Sequence, residues 1–233
     1  MVFKCYLTHN FRSFEKQYSE GYGFTYPESH IIRFYERVLK YGFGIDGSGH
    51  QELLDFGCGK GVHALFFKSK GFDVYGVDIA ETAINISREI MPDIQDNFKI
   101  ISPSPSSKPF FDVKYDVIIA NQVLYYLSDS DFHKLLQSLY YQLKSGGVFF
   151  ATMIGKSHYL YSYASTCHDG LYKVIPDKRL SGQSVYINFV HSNKELEERF
   201  KCFKKVHVGY YDSCLRKDEG SDYHYVYIGV KQS

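Results

Sequence analysis

The residues best suited to chemistry lie between 53 and 61, in LLDFGCGKG. An apolar pair, Leu53-Leu54, leads into Asp55, and glycines follow at every second position: Gly57, Gly59 and Gly61. VHALFFKSKG comes next, with its apolar residues at helical spacing. This is the order strand, glycine turn, helix. Such a turn has no side chains in the way, so a ligand can lie against the backbone at the helix N-terminus. A second acid, Asp78, closes the following apolar run, FDVYGVDI. Dinucleotides are bound by a turn of this kind under the spacing GxGxxG. Here the third position of that spacing, counted from Gly57, is Val62, and the glycines run GxGxG instead.

The surrounding pattern supplies the elements that must position these residues. PESHIIRFYERVLKYG places Ile31, Phe34, Tyr35, Val38 and Leu39 near helical spacing, with Gly42 as its end. Strands are expected at Glu52–Phe56, in FDVYGVDI, at Phe98–Ser102, in YDVIIANQVL and in VFFATMI. Helices are expected between them: from about Gly59 to Lys70, over ETAINISREI, and over Asp129–Lys144 behind a Ser128 cap and ahead of Gly146-Gly147. Alternation of this kind predicts a parallel sheet with helices on both faces. Residues 155 to 183 read as loop, Tyr186–Val190 as a short strand, and Ser192 to Glu195 as a capping box opening a helix through Phe200. KKVHVGYYD and YHYVYIGVK alternate as a terminal antiparallel pair, joined by SCLRKDEGSD. Upstream, a short helix is expected around Phe14–Tyr18.

The bulk properties narrow the class. At 233 residues the chain suits one α/β domain, divided here into an N-terminal helical segment and candidate lid, 1–42, and a main domain, 43–233. The net charge of +1 argues against a general electrostatic grip on nucleic acid or membrane. No apolar run approaches the ~20 residues of a membrane span, and the N-terminus has no signal-peptide block. Five cysteines without a CxxC pair fit reduced thiols in a cytoplasmic setting better than disulfides or zinc.

DFGCGKG resembles the first motif of the class I S-adenosylmethionine-dependent methyltransferases. VYGVDI is similar to the second, KPFFDVKYDVIIANQVLYYL to the loop and fourth strand, and LKSGGVFFATMI to the fifth strand. The resemblance runs from about Pro27 to the C-terminus. It implies a Rossmann-like, seven-stranded, mostly parallel sheet with an antiparallel last strand, helices on both faces, and S-adenosylmethionine as cofactor (product S-adenosylhomocysteine). It implies roles residue by residue. Gly57, Gly59 and Gly61 would let the backbone approach the methionine part, with Cys58 as a small filler and Asp55 under the turn near the cofactor's amino group. Asp78 would accept from the two ribose hydroxyls, for which a carboxylate is the natural acceptor. Ile79 would pack on the adenine, and Asn121 and Gln122 would face the methionine moiety. The family's adenine-binding Asp falls on Ser104 here.

Methyl transfer implied by the resemblance needs a nucleophile, the methyl carbon and sulfur in line, with water excluded. For a hydroxyl acceptor a general base helps, and His158, just after the fifth strand, is the first candidate. Tyr125 and Tyr126 would wall the acceptor site, and Tyr22 and Tyr26 would belong to a lid. Arg33 and Lys156 would meet an anionic acceptor. NQVL in place of an NPPY-like motif counts against planar nitrogen acceptors, and no metal-ligand pattern is evident. A small molecule methylated on oxygen is the expected substrate. An RNA or protein methyltransferase, a non-catalytic cofactor-binding module and an NAD-dependent oxidoreductase are the alternatives. Oligomeric state is not legible.

Overall fold

Strands β1 (Glu52–Phe56) and β4 (Tyr115–Ala120) form the centre of the sheet and are buried nearly throughout, as a parallel strand covered on both faces must be. The computed structural model describes residues 5–175, 184–214, 218 and 220–232. In chain order these form α1 (Cys5–Ser19), α2 (Ser29–Arg33), β1, α3 (Val62–Ser69), β2 (Asp73–Asp78), α4 (Glu81–Ile90), β3 (Phe98–Ile100), β4, α5 (Asp129–Gln142) and β5 (Leu143–Ile154). Then come β6 (Ala164–Thr166), β7 (Tyr172–Val174), β8 (Val185–Ile187), α6 (Asn193–Arg199), β9 (Lys204–Tyr211) and β10 (His224–Val230).

The main sheet has seven strands in the order β3-β2-β1-β4-β5-β10-β9. β10 pairs antiparallel with both β5 and β9, so it alone runs against the other six. Side chains alternate between the two faces. Leu54, Ile118 and Phe149 join Phe132 and Leu139 of α5 and Leu196 of α6 in one core. Leu53, Val117 and Phe150 join Ile31 of α2 and Phe67 of α3 in the other.

Several elements differ from the sequence expectation. α2 runs on as a π-helical stretch, Phe34–Phe43, and Gly44 ends it in the left-handed region at φ 68°, two residues beyond Gly42. α5 has its Ser128 cap, but β5 takes over at Leu143 and carries Gly146-Gly147 within it. Lys144 explains the early handover: its Nζ reaches Glu52 at 2.5 Å and Asp116 at 2.8 Å, tying that residue to the start of β1 and β4. The register slips opposite this stretch, between Tyr115 and Val117.

The segment expected to be loop builds a second, antiparallel sheet, β6-β7-β8; residues 176–183 lie outside the described part. β8 ends at Ile187, and Val190 makes only a single bridge to Gly155. α1 is longer than the Phe14–Tyr18 turn because it packs on this sheet. Asn10 donates to Tyr186 O at 3.1 Å and accepts from Tyr186 N at 3.0 Å, so a side chain satisfies the exposed edge of β8. Part of the polar stretch between β9 and β10 also lies outside the described residues.

Candidate active site

The ends of β1, β2 and β4 meet where the strand order reverses, the position at which open α/β sheets bind ligands. The glycine turn leaves β1 here. Gly57, Gly59 and Gly61 have φ of 74°, 52° and 74°, a region other residues enter at a cost. Asp78, at the end of β2, clamps the turn: its Oδ2 accepts from Gly59 N at 2.9 Å and its Oδ1 from Ala80 N at 2.9 Å. Burial raises its pKa, and these N–H groups work the other way.

Two cavities, of about 320 Å³ and 350 Å³, adjoin at this turn and share Phe14, Tyr18, Gly57, Gln122 and Tyr126. The first holds Asp78, Ile79, Ile101, Ser104 and Phe110. The second holds Cys58, Gly59, Lys60, His63 and Asn121, together with Glu28, Tyr22, Tyr26 and Tyr125. All the expected site residues except Gly61, Asp55, His158, Arg33 and Lys156 therefore border one cavity or the other. Gly61 instead caps α3 and packs on Ser87 and Met91. Asp55 is buried behind the turn with Oδ2 lacking any partner; burial, with Asp78 nearby, pushes its pKa up to about 7. Cys58 is a buried thiol whose pKa is raised by burial and by the two acids, in keeping with a filler.

His158 is the third exception. It is buried, and both ring nitrogens are engaged: Nδ1 accepts from Leu160 N at 3.1 Å, so Nε2 carries the hydrogen and donates to Asp222 at 2.9 Å. It caps the turn Tyr159–Tyr163 and borders neither cavity. The expectation of a free base at this position is corrected accordingly. His158, Asp222 and His224 form a potential metal-ligand group among the described residues, yet the hydrogen bonding of His158 leaves it no lone pair for a cation. Arg33 and Lys156 are exposed and border neither cavity either.

Sequence reasoning missed the residues that the N-terminal segment and α3 bring in. Tyr18 and Phe14 of α1 border both cavities. Glu28, at the start of α2, accepts from Asn121 Nδ2 at 2.7 Å and from Gln122 Nε2 at 2.9 Å. His63 lies 3.6 Å from the same carboxylate. Burial, reinforced by His30 alongside, pushes the His63 pKa down to about 4, so it is a neutral imidazole at neutral pH. Gln122 takes φ 53° at the end of β4, with its N–H bonded to Thr152 at 2.7 Å and its side chain also reaching Tyr211 at 2.8 Å. A bulky residue in the left-handed region persists only where its surroundings over-determine it. The only local signals were a polar residue at a helix start (Glu28) and a histidine two residues past the last glycine (His63).

Residues 27–201 match the family described as methyltransferase domain. The chain belongs to this family. As a methyltransferase of the class I fold it uses S-adenosylmethionine, and two features of the site fit that group. The unpartnered carboxylate oxygen of Asp55 lies behind the turn, and Asp78 stands at the end of β2 on the wall of the first cavity. Among curated proteins, this methyltransferase is 27% identical over 124 residues to an 18S rRNA (guanine-N(7))-methyltransferase of Schizosaccharomyces pombe, a match covering 48% of this chain and 43% of that relative's length. The fold is shared with the 1,6-didemethyltoxoflavin-N1-methyltransferase of Burkholderia thailandensis, solved with 1,6-didemethyltoxoflavin and S-adenosylhomocysteine (TM-score 0.67, 16% identity, 98% of this chain and 89% of that one). It is shared too with the N-methyltransferase NodS of Bradyrhizobium japonicum, solved with S-adenosylhomocysteine (TM-score 0.64, 12% identity, 97% and 100%). Among the described residues no helix is long and apolar enough to cross a membrane.

Proposed function

We propose that this methyltransferase acts on a small-molecule acceptor seated in the second cavity and methylates it on oxygen. Asp55, Gly57, Cys58, Gly59, Asp78, Ile79, Ser104, Asn121 and Gln122 are the proposed cofactor contacts, with the nucleoside part in the first cavity, while Gly61 shapes the turn from behind. The N-terminal segment up to residue 42 is the proposed lid, with Phe14, Tyr18, Tyr22 and Tyr26 covering the two cavities. The observation that carries the reading is the second cavity itself: it adjoins the first at Gly57, is walled by aromatic rings, and is of a size to enclose one small molecule.

When bound, the cofactor supplies an electrophilic methyl group on a sulfonium. The acceptor oxygen's lone pair forms the new O–C bond, the C–S bond breaks with its electron pair left on sulfur, and the acceptor's proton passes to a base. His63 replaces His158 as that base, because it borders the cavity and lies 3.6 Å from Glu28, whose carboxylate would stabilise the imidazolium formed when it takes the proton. Gln122 and Asn121 hold the Glu28 carboxylate in place.

A nucleobase of RNA is the second reading, favoured by the similarity to the rRNA methyltransferase. The near-balanced charge counts against it, since RNA binding draws on phosphate contacts. The test is to incubate the purified chain with methyl-labelled S-adenosylmethionine and either a metabolite extract or total RNA. Label in the metabolite fraction is expected, and label confined to RNA overturns the small-molecule reading.

A further inference from the structure

We infer that the acceptor is a small organic cation, an amine that also carries the methylated hydroxyl, held between the Glu28 carboxylate and a cage of tyrosine rings. The inference rests on the small-molecule reading above and names the substrate class of that site.

The argument starts from charge. Glu28 is largely withdrawn from solvent, with its side chain 20% exposed, and it borders the second cavity. A carboxylate largely removed from water gains from a cationic partner. No lysine or arginine among the described residues pairs with Glu28, and its nearest basic groups are the imidazoles of His63 and His30. Its hydrogen-bond donors, Asn121 and Gln122, are neutral amides. His63, the nearer imidazole, is kept neutral by burial. His30 lies 3.9 Å away, and its Nε2 is directed to Asn121 Oδ1 at 2.8 Å. Lys60 borders the same cavity, where its ammonium donates to Gly23 O at 3.0 Å and makes no ion pair with Glu28. The anion is therefore built in and the counter-charge is left to the ligand.

The walls point the same way. Tyr18, Tyr22, Phe24, Tyr26, Tyr125 and Tyr126 all border this cavity. Aromatic faces attract cations through the ring quadrupole, and cages of such rings are the usual receptors for alkylammonium groups. A carboxylate at the floor and aromatic rings around it recognise a positively charged amine and reject an anion. The exposed Arg33 and Lys156, the residues expected from sequence to meet an anionic acceptor, do not border the cavity.

Three phenols of similar shape and different charge serve as probes: tyramine, 4-ethylphenol and 4-hydroxyphenylacetate, titrated calorimetrically into the full chain saturated with S-adenosylhomocysteine. Tyramine is expected to bind about ten-fold tighter than 4-hydroxyphenylacetate, a difference of about 1.4 kcal/mol. Glu28→Gln is expected to remove that preference, read as the ratio of the two affinities within the variant, with 4-ethylphenol as the uncharged reference. Tyr26→Leu, at an exposed position that does not threaten the fold, is expected to weaken tyramine more than 4-ethylphenol, by roughly two- to five-fold. Equal or tighter binding of the carboxylate probe overturns the inference. So does a tyramine preference that survives Glu28→Gln, and so does silence from all three probes while S-adenosylhomocysteine binds. Failure of the small-molecule reading would be seen separately, as label confined to RNA.

Discussion

The hydroxyl of Tyr18 lies 2.6 Å from the point where a Cβ on Gly59 would sit. The glycine turn is thus closed from above by α1, and the absence of a side chain at 59 makes room for a tyrosine of this chain as much as for a ligand. Gly59→Ala should be destabilising on two counts: the left-handed φ of 52°, worth about 1–2 kcal/mol, and the collision with Tyr18. Tyr18→Phe removes the colliding oxygen and leaves the backbone strain. In a double-mutant cycle by urea denaturation, Gly59→Ala should therefore cost roughly 1 kcal/mol less in the Tyr18→Phe background. Strict additivity would mean that α1 does not rest on the turn in solution.

Asp55 gives a pH dependence with a definite sign. Its pKa is raised by burial from 3.8 to about 7, so the folded chain keeps a proton that the unfolded chain gives up near 4. The stability from this group is complete below about pH 4 and is lost as pH rises toward 7. A cofactor ammonium beside Asp55 favours the ionised form, so S-adenosylhomocysteine should bind more tightly as pH rises through 7 and release a proton on binding below it. Calorimetry in buffers of different ionisation enthalpy reads that proton directly. Asp55→Asn should abolish the proton release and reduce the slope of melting temperature with pH between about 4 and 7; an unchanged slope would place the titration elsewhere.

Asp78 clamps the turn and is proposed to hold the cofactor's ribose, and its removal should show both. Asp78→Ala leaves the N–H groups of Gly59 and Ala80 without their acceptor, at roughly 1–3 kcal/mol for each buried donor. The folded state should weaken along with cofactor affinity. Asp78→Asn keeps one acceptor oxygen and should fall between the wild type and Asp78→Ala in urea midpoint. If Asp78→Ala unfolds at the wild-type midpoint, the clamp contributes nothing to stability.

The fold was legible where local pattern and tertiary environment agree. Leu53-Leu54 before Asp55, the GxGxG turn, FDVYGVDI and YDVIIA announce β1, β2 and β4, because strands buried on both faces must be apolar throughout. The strands β6 and β7 were not legible, and β8 only in part, being three residues long and held by pairing with one another and by Asn10. The same distinction divides the site. Gly57, Asp78 and Gln122 follow strands directly. Tyr18 and Glu28 arrive from a segment with no sustained period and reach the site only through packing. His158 was placed on the correct edge of the sheet, but Leu160 and Asp222 decide where its nitrogens point, and neither contact has a sequence signature.

The two histidines can be told apart by what each variant spares. His158→Gln breaks a buried pair of hydrogen bonds, to Leu160 N and Asp222, and should lower stability by roughly 1–3 kcal/mol. It should leave S-adenosylhomocysteine affinity and the transfer of label to the metabolite fraction close to wild type, measured at a temperature where the variant is folded. His63→Gln borders the second cavity without a hydrogen-bonded pair of its own to lose, so its melting temperature should change little. Its rate of label transfer should fall about 10²–10⁴-fold, the usual contribution of a positioned general base, and the remaining rate should rise with pH as the acceptor ionises unaided. Rates with the two effects exchanged, His158→Gln inactive and His63→Gln normal, would return the base to His158 and require the turn Tyr159–Tyr163 to rearrange when the acceptor binds.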